Sequence, residues 1–552
     1  MFLKFYHSST KKFFLYTFVS YLLIGVHITM KHVGGSGLYL PYNIIGWIFI
    51  CLIIGLGLIR MSKSSKIYLS RNLIYLLIGY VFILTPCFYN NSNIEIALMR
   101  MVGLSFGILL LITFYQFRFK KSEIYWLLYI ILVSVCIQSI LKTIKILVPS
   151  LNSIWFLSIL NFGSMAHKNV YATFLCTGAL TCLYLMMVDN AIYSSKLKIF
   201  LVHMTPFLTA LQLYHLQSRT GYLSLILGFI FFLPSIFRER RLPSNWVSLL
   251  LIGHFLAMIS SSEDRTSEEA EYSKNTRILT YKLTFDMIKE KPVLGVGYGN
   301  FLSSFRLFYA KSKKDREGFG VLGNNNMDHP HNEILFWTAE GGLLPFLGIL
   351  VIAGSFISMV WKSKKKDSWD IVGMISPMII HSMLELPFYI SVVHWFLFIF
   401  LYFNLDNTCS QIFELRLKYS KLFKILGILF PSFFCGYLIT TLQSASSIIE
   451  FERTGYNNPN LLKKVSNVHA WDKKYESLIM KLNLSLGIRE RNHQKLKEYI
   501  QWAEKFIKHS PYLFIYYDLA TAYEALGKNE KAWEVYRFAQ YLYPGANWED
   551  EE

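Results

Sequence analysis

The sequence predicts an all-α fold: a polytopic membrane bundle of about 13 transmembrane helices, with a large external loop and a C-terminal tetratricopeptide-like helical domain. Hydrophobic residues make up 53% of the 552 residues and charged residues only 16%, a balance that is not typical of a soluble protein. The apolar residues form long runs that are separated by short basic clusters. The segment 443–552 is instead rich in charge and has helical periodicity.

Apolar runs of about 20 residues, the length that crosses a bilayer, recur along the chain as far as residue 441. The first run is followed by Lys31 and His32 and by no small-residue cleavage site, so we expect a retained span and not a signal peptide. The predicted spans are 13–30, 38–59, 73–89, 98–117, 124–148, 169–188, 198–215, 220–237, 245–261, 333–360, 370–386, 389–404 and 422–441.

Basic residues cluster in alternate connections between these runs. Clusters lie at 60–71, 118–121 and 362–366, whereas the connection 89–95 contains neither Lys nor Arg. Because positively charged loops remain in the cytoplasm, this alternation predicts a cytoplasmic N-terminus and an external C-terminal tail. A nucleic-acid groove would gather the net charge of +19 on one surface, so we expect membrane lipids and no nucleic acid as partners.

The sequence predicts two domains, a membrane domain that includes one external loop and an external C-terminal domain. The membrane domain covers 1–442 and includes an external loop at 262–332, in which an amphipathic helix around 278–288 precedes a glycine-rich turn at 292–299. The second domain covers 443–552.

This second domain carries the spacing of one tetratricopeptide repeat, in which small residues let two helices approach closely. One repeat cannot bury its own face, so the preceding helical segments must complete the stack. The domain then either packs on the membrane domain or binds a protein partner. The residues of the repeat are Tyr516, Leu519, Ala520, Tyr523, Gly527, Ala532, Tyr536, Ala539 and Pro544.

Polar residues gather at the predicted external ends of several spans and of the loop helix. Arginine offers forked, permanently charged donors that suit phosphate, and helix N-termini add free N–H groups. Each residue alone is compatible with an ordinary interfacial position, but together they predict a site for an anion such as a pyrophosphate. The candidates are His167, Lys168, Asn169, Arg219, Arg277, His329, His331, Asn332, Glu333 and Glu385.

His331 is the candidate proton acceptor. Pro330 suits the first position of a helix, which would place His331 in the first turn, with Asp328 as the cap. The positive end of that helix disfavours an imidazolium, so we expect a neutral ring that accepts a proton or a hydrogen bond. Glu340, inside the same predicted span, should face the protein interior.

Two motifs resemble those of the O-antigen ligase superfamily. Arg219 with Leu223 resembles its arginine motif, and His331–Asn332 followed by Gly342 resembles its histidine motif. The segment "RILTYKLTFDMIKEKPVLGVGYGNF" is similar to the stretch that precedes that histidine, and the resemblance covers roughly 160–400.

Within the superfamily, the segment "GSMAHKNVYATFL" and the external helical tail resemble the bacterial O-oligosaccharyltransferases that glycosylate pilins, the PglL/PilO type. His167 stands where that branch has glutamine, and Pro345 departs from the histidine motif, so the roles of those two positions do not carry over.

The resemblance implies transfer of a preassembled oligosaccharide from undecaprenyl pyrophosphate to a serine or threonine hydroxyl of a pilin-like protein. Arg219 and Arg277, with Lys168, would hold the pyrophosphate, and His331 would activate or orient the hydroxyl. It also implies a bacterial inner-membrane protein whose external side is the periplasm. No metal or other cofactor is expected.

Other functions stay open. An O-antigen ligase would act on a lipid A-core sugar, and an O-antigen polymerase on a second glycan. A transporter would hold its polar groups near mid-membrane, whereas these gather at one face. A non-catalytic scaffold that presents the helical tail is the remaining alternative.

Overall fold

The computed structural model describes residues 9–28, 30–32, 34–147, 165, 167–239, 243–260, 267–312, 327–456 and 458–544. These residues are nearly all α-helical. The helices are α1 (Ser9–Leu23), α2 (Pro41–Ser64), α3 (Leu73–Leu84), α4 (Ile94–Gln116), α5 (Lys121–Leu147), α6 (Lys168–Val188), α7 (Lys196–Leu216), α8 (Arg219–Ile230), α9 (Leu233–Glu239), α10 (Ser244–Ser260), α11 (Ser267–Glu290), α12 (Phe301–Lys311), α13 (Glu333–Gly341), α14 (Leu343–Lys362), α15 (Ser368–Ser382), α16 (Pro387–Ile390), α17 (Val392–Cys409), α18 (Ser420–Arg453), α19 (Asp472–Arg489), α20 (His493–Phe506), α21 (Leu513–Ala525) and α22 (Asn529–Leu542).

Each predicted span overlaps one helix or two consecutive helices, but not every helix meets the requirements of a span on its own. In the described ranges, seven helices are long and apolar enough to cross a membrane, and α8 with α9, bent by 40°, would make an eighth. α1 and α15 have 15 residues each, fewer than the roughly 17 that a straight span needs. The membrane character of the chain is therefore supported, and the number of 13 spans stays a prediction.

The predicted span 333–360 is broken near its start. α13 ends at Gly341, and Gly342 turns the chain with a φ of +71°, a conformation that a side chain would strain. The glycine-rich turn packs into this break, where the N–H of Leu343 donates to the carbonyl of Val293 at 3.1 Å. A single continuous helix here was thus the wrong expectation, because hydropathy does not register a glycine turn between two apolar segments.

A two-stranded sheet lies at the opposite end of the bundle from the polar cluster described below. β1 (Lys66–Ser70) pairs antiparallel with β2 (Ile412–Arg416), with Tyr68 opposite Glu414. α15 links the two ends: Oγ of Ser368, its first residue, lies 3.2 Å from Sγ of Cys409, just before β2, and the helix ends before Glu385. The sequence analysis did not predict these strands, whose partners lie far apart in the chain.

The C-terminal helices form antiparallel pairs that have a core of their own. Leu519, Ala520 and Tyr523 of α21 are buried against the neighbouring helices, and Gly527, at φ +71°, turns the chain before α22. This matches the helical arrangement that the spacing predicts, and the tetratricopeptide assignment itself stays a prediction.

The C-terminal helices also contact the membrane-domain side of the chain. Tyr543 packs over the guanidinium of Arg306 in α12, 4.1 Å from the ring centre. Helix α18 continues to Arg453, past the predicted domain boundary at 442. The predicted loop 262–332 lies partly outside the described residues, which omit 261–266 and 313–326.

Candidate active site

The ends of four helices meet at one end of the bundle and are joined by side-chain hydrogen bonds. Ser218, just before α8, donates through Oγ to Oδ1 of Asn169 in α6 at 2.9 Å. Asn169 donates through Nδ2 to Oε2 of Glu385, which follows α15, at 3.4 Å. Asn332, just before α13, donates to the carbonyl of Met383 at 2.9 Å. The structure therefore brings together Asn169, Asn332 and Glu385, residues that are far apart in the sequence.

The backbone of His331 is held in an unusual conformation. Its φ is +55°, in the left-handed region that costs a non-glycine residue about 1–3 kcal/mol. Its N–H donates to Nδ1 of His329 at 3.1 Å, and its carbonyl accepts from the hydroxyl of Tyr281 at 3.2 Å. These contacts fix the residue on both sides.

The helix begins later than the sequence analysis expected. Asn332 caps α13, since its Oδ1 accepts the N–H of Leu335 at 3.0 Å. Pro330 and His331 both precede the helix, and Asp328 instead lies 3.6 Å from Nε2 of His329. The predicted first-turn position of His331 and the predicted capping by Asp328 were wrong, because the asparagine next to the helix competes better for the cap.

The His331 side chain is neutral for a different reason from the one expected. Its pKa is lowered to about 3, chiefly by burial and then by the charge of His329, while the Glu385 carboxylate raises it. Arg277 and His167 lower this pKa as well, so both act electrostatically on the same imidazole. Nδ1 of the ring is buried and has no hydrogen-bond partner within the described residues. A neutral imidazole has one ring nitrogen with a lone pair, so at neutral pH the ring can accept a proton or a hydrogen bond.

The remaining candidates act on this imidazole or adjoin in the chain a residue of the hydrogen-bonded cluster. Arg219 is exposed at the first turn of α8, and Arg277 is half-buried on α11. Lys168 is half-buried at the start of α6, next to Asn169. Glu333 turns back onto α13, where Oε2 accepts the indole N–H of Trp337 at 3.0 Å. The assignment of Arg219, Arg277 and Lys168 to the binding of a donor, and of Glu333 to a supporting role, stays a prediction.

Several residues near the site were not identified from the sequence. Tyr281 ties α11 to the His331 carbonyl and to the carbonyl of Met383 at 3.1 Å. His381 bonds Oε2 of Glu385 through Nε2 at 2.9 Å. Burial and then the charge of His167 lower the pKa of His32, which puts these two histidines near each other. His381 lies four residues before Glu385, and this helical spacing was the one signal in the sequence that could have identified it.

The break between α13 and α14 is held by a buried ion pair. Arg100 of α4 pairs with Oε2 of Glu340, and its guanidinium lies 4.4 Å from the ring centre of Phe336. Oε1 of Glu340 accepts the N–H groups of Gly299 at 3.0 Å and Phe301 at 3.1 Å. Glu340 does face the protein interior, as expected, and it anchors the glycine-rich turn to α13.

Comparisons with known families agree with this arrangement. Residues 205–350 match the family model described as O-Antigen ligase, and residues 369–551 match the model described as the C-terminal part of a virulence factor membrane-bound polymerase. Arg219, Arg277 and His331 lie in the first match, and Glu385 lies in the second. The matches support the O-antigen ligase and polymerase superfamily and suggest a membrane enzyme that transfers glycans. No curated protein matches the chain.

Proposed function

We propose that the chain is a protein O-oligosaccharyltransferase of the bacterial inner membrane. In this proposal it moves a preassembled oligosaccharide from undecaprenyl pyrophosphate to a serine or threonine hydroxyl of a pilin-like protein on the periplasmic face. The observation that carries it is the buried, unpartnered Nδ1 of the His331 ring, which lies within the field of Arg277 and His167 at one end of an apolar bundle.

Donor binding would use the cations at this end. Arg219 and Arg277, with Lys168, suit the two phosphates of the donor, and the start of α8 adds backbone N–H groups. A carrier with a long lipid chain would remain in the membrane beside the helices while its pyrophosphate reaches the rim. Fixed positive charge stabilises the pyrophosphate that leaves, which is the largest contribution expected of such a site.

The acceptor hydroxyl would meet the neutral ring of His331. The hydroxyl oxygen forms a bond to the anomeric carbon of the sugar, the bond from that carbon to the phosphate oxygen breaks, and the hydroxyl proton passes to the imidazole. The pKa of His331, about 3, makes the ring a weak base. The negative charge of a bound pyrophosphate would raise that pKa and strengthen it as a proton acceptor.

The position of the C-terminal helices is compatible with a protein acceptor. The charge of Asp328, three residues before His331, acts on the hydroxyl of Tyr512 just before α21. This domain would thus lie beside the proposed site, where a folded acceptor protein would approach. Thirteen spans and an external C-terminus complete the proposed topology, which puts the site and this domain on the same side of the membrane.

A glycan polymerase or ligase is the second candidate. It is favoured by the matched descriptions, which name a ligase and a membrane-bound polymerase. All three functions share the donor and differ in the hydroxyl that accepts the sugar.

The test is to express the chain with a lipid-linked glycan pathway and a pilin, and to measure the intact mass of the pilin. A mass increase of one preassembled glycan supports the proposal. An unchanged mass with several pilins, together with longer glycan polymers or glycan on lipid A-core, would instead identify the polymerase or the ligase. Movement of lipid or solute across vesicles without any transfer would identify a transporter.

A further inference from the structure

A chain of buried polar side chains leads away from Glu385 into the bundle. Nε2 of His381 lies 2.9 Å from Oε2 of Glu385, and Nδ1 of the same ring lies 2.9 Å from Oγ1 of Thr173. That hydroxyl lies 3.2 Å from Nε2 of His394, whose Nδ1 lies 2.9 Å from Oγ of Ser391. The chain crosses α15, α6 and α17.

These groups lie deep inside the protein. His381, Thr173 and Ser391 have no exposed surface, and His394 has 1%. Polar groups inside a membrane bundle are costly, and they are found mainly where function needs them. The proposed transfer chemistry assigns no role to this chain, so it needs an explanation of its own.

Two arrangements of protons that satisfy these contacts leave Glu385 ionised, whereas a protonated Glu385 would reverse every donor in the series. In the first, Ser391 donates to His394, His394 to Thr173, and Thr173 to a neutral His381. In the second, the Thr173 hydroxyl donates to the carbonyl of Asn169 at 3.0 Å and accepts from a doubly protonated His381. In both arrangements His381 donates from Nε2 to Glu385, because an ionised carboxylate can only accept.

We propose that His381, Thr173 and His394 are positioning residues that hold Glu385 ionised and aimed at the site. Glu385 then serves both halves of the site, since it raises the proton affinity of His331 and accepts from Asn169, which in turn accepts from Ser218 at the start of α8. Through Glu385, this series of hydrogen bonds couples the start of α8, which carries Arg219, to the imidazole of His331, which would meet the acceptor. This inference rests on the proposed transfer reaction for its consequence, but not for its geometry.

A purely structural role makes a different prediction. Buried polar contacts between helices also hold membrane bundles together, and their loss would then lower stability without changing the charge state of Glu385. The experiment therefore needs a readout of Glu385 itself.

Dicyclohexylcarbodiimide provides this readout, because it modifies carboxyl groups that are protonated and lie in an apolar environment. In the full-length protein in detergent at pH 7, we expect little label on Glu385 in the wild type and at least several-fold more in His381→Phe, measured by peptide mass spectrometry. His203→Phe is the matched control, since within the described residues Nδ1 of His203 bonds the carbonyl of Ile199, at 2.7 Å, on its own helix. Equal labelling of Glu385 in all three proteins would overturn the proposal.

The second readout is turnover with the acceptor that the wild type uses. Thr173→Val should lower kcat about tenfold or more with little change in the KM for the lipid-linked donor, because a displacement of about 1 Å can cost up to about 10²-fold. Thr173→Ser keeps the hydroxyl and should restore most of kcat. Thr177→Val, one turn further along α6 in an equally buried position, is the matched control.

Unchanged kcat in Thr173→Val would show that the hydrogen bonds of Thr173 do not contribute to the rate of transfer. If Thr173→Val does not fold, Ser391→Ala removes the far end of the chain with a smaller change, and a smaller fall in kcat is expected. If the wild type transfers glycan to no hydroxyl, the proposed function fails, and the labelling of Glu385 still decides whether the chain positions it.

Discussion

The polar side chains next to the two ends of helix α13 differ in how completely they are hydrogen-bonded. At the C-terminal end both oxygens of Glu340 are used, one by Arg100 and the other by two backbone N–H groups. At the N-terminal end His331 has a left-handed backbone, and its buried Nδ1 has no partner among the described residues. The protein thus satisfies both oxygens of the carboxylate that anchors α13, whereas one buried imidazole nitrogen of His331 has no partner among the described residues. Strain and unsatisfied polar atoms are tolerated where a ligand can use them.

The largest effect on the rate of transfer should come from His331, at the N-terminal end of α13. His331→Ala removes the proton acceptor and should lower transfer by about 10²–10⁴-fold, the range for general acid–base groups. Intact-mass measurement of the acceptor gives the rate, and His203→Ala is the control at a histidine outside the site. Near-normal transfer in His331→Ala would remove its assigned role, provided that the variant is expressed at the wild-type level.

Loss of the ion pair between Arg100 and Glu340, at the C-terminal end of α13, should lower the free energy of unfolding. Glu340→Ala leaves the Arg100 guanidinium buried without its carboxylate, which is expected to cost about 3–5 kcal/mol of unfolding free energy. Denaturant unfolding in detergent measures this. Glu414→Ala, which removes an exposed partner of Lys66, should change stability far less. Equal effects of the two substitutions would contradict the distinction drawn between the two ends of α13.

Arg219→Ala tests the proposed contact between Arg219 and the pyrophosphate of the lipid-linked donor. Loss of one fixed donor to the leaving pyrophosphate should lower kcat by about 10²–10³-fold, and Arg219→Lys should recover only part of it because a lysine is not forked. Arg416→Ala, at an exposed arginine at the opposite end of the bundle, is the control. If Arg219→Lys has full activity, the forked contact is not needed.

The smallest expected effect concerns pH. Because the His331 pKa is lowered to about 3, the free protein should keep this ring neutral from pH 8 to pH 5, and kcat/KM should show no acid limb from His331 near pH 6.5. In the unfolded protein His331 binds a proton near its usual pKa of about 6.5, whereas in the folded protein it does so only near 3. This residue therefore lowers the free energy of unfolding as the pH falls from about 6.5 toward 3. An acid limb that is present in the wild type and absent in His331→Gln would contradict the buried, neutral ring.

Much of the helical layout was predictable from the sequence. The apolar runs predict helices such as α2 and α6 to within a few residues at their ends, because hydropathy is a local property of the chain. The candidates Asn169, His331 and Glu385 were recognised because polar residues stand out at the ends of apolar runs. The break at Gly342 was missed, since an apolar segment on either side of a glycine reads as one run.

Hydropathy and residue type along the chain are thus enough to predict the membrane character, most of the helices and the polar residues at their ends. The packing of the helices is what brings Thr173 of α6 to His381, and what places Tyr281 of α11 against the left-handed backbone of His331. The physical reason is distance along the chain: Thr173 and His381 are 208 residues apart, and no local pattern in the sequence connects them. A contact of this kind exists only once the helices have packed.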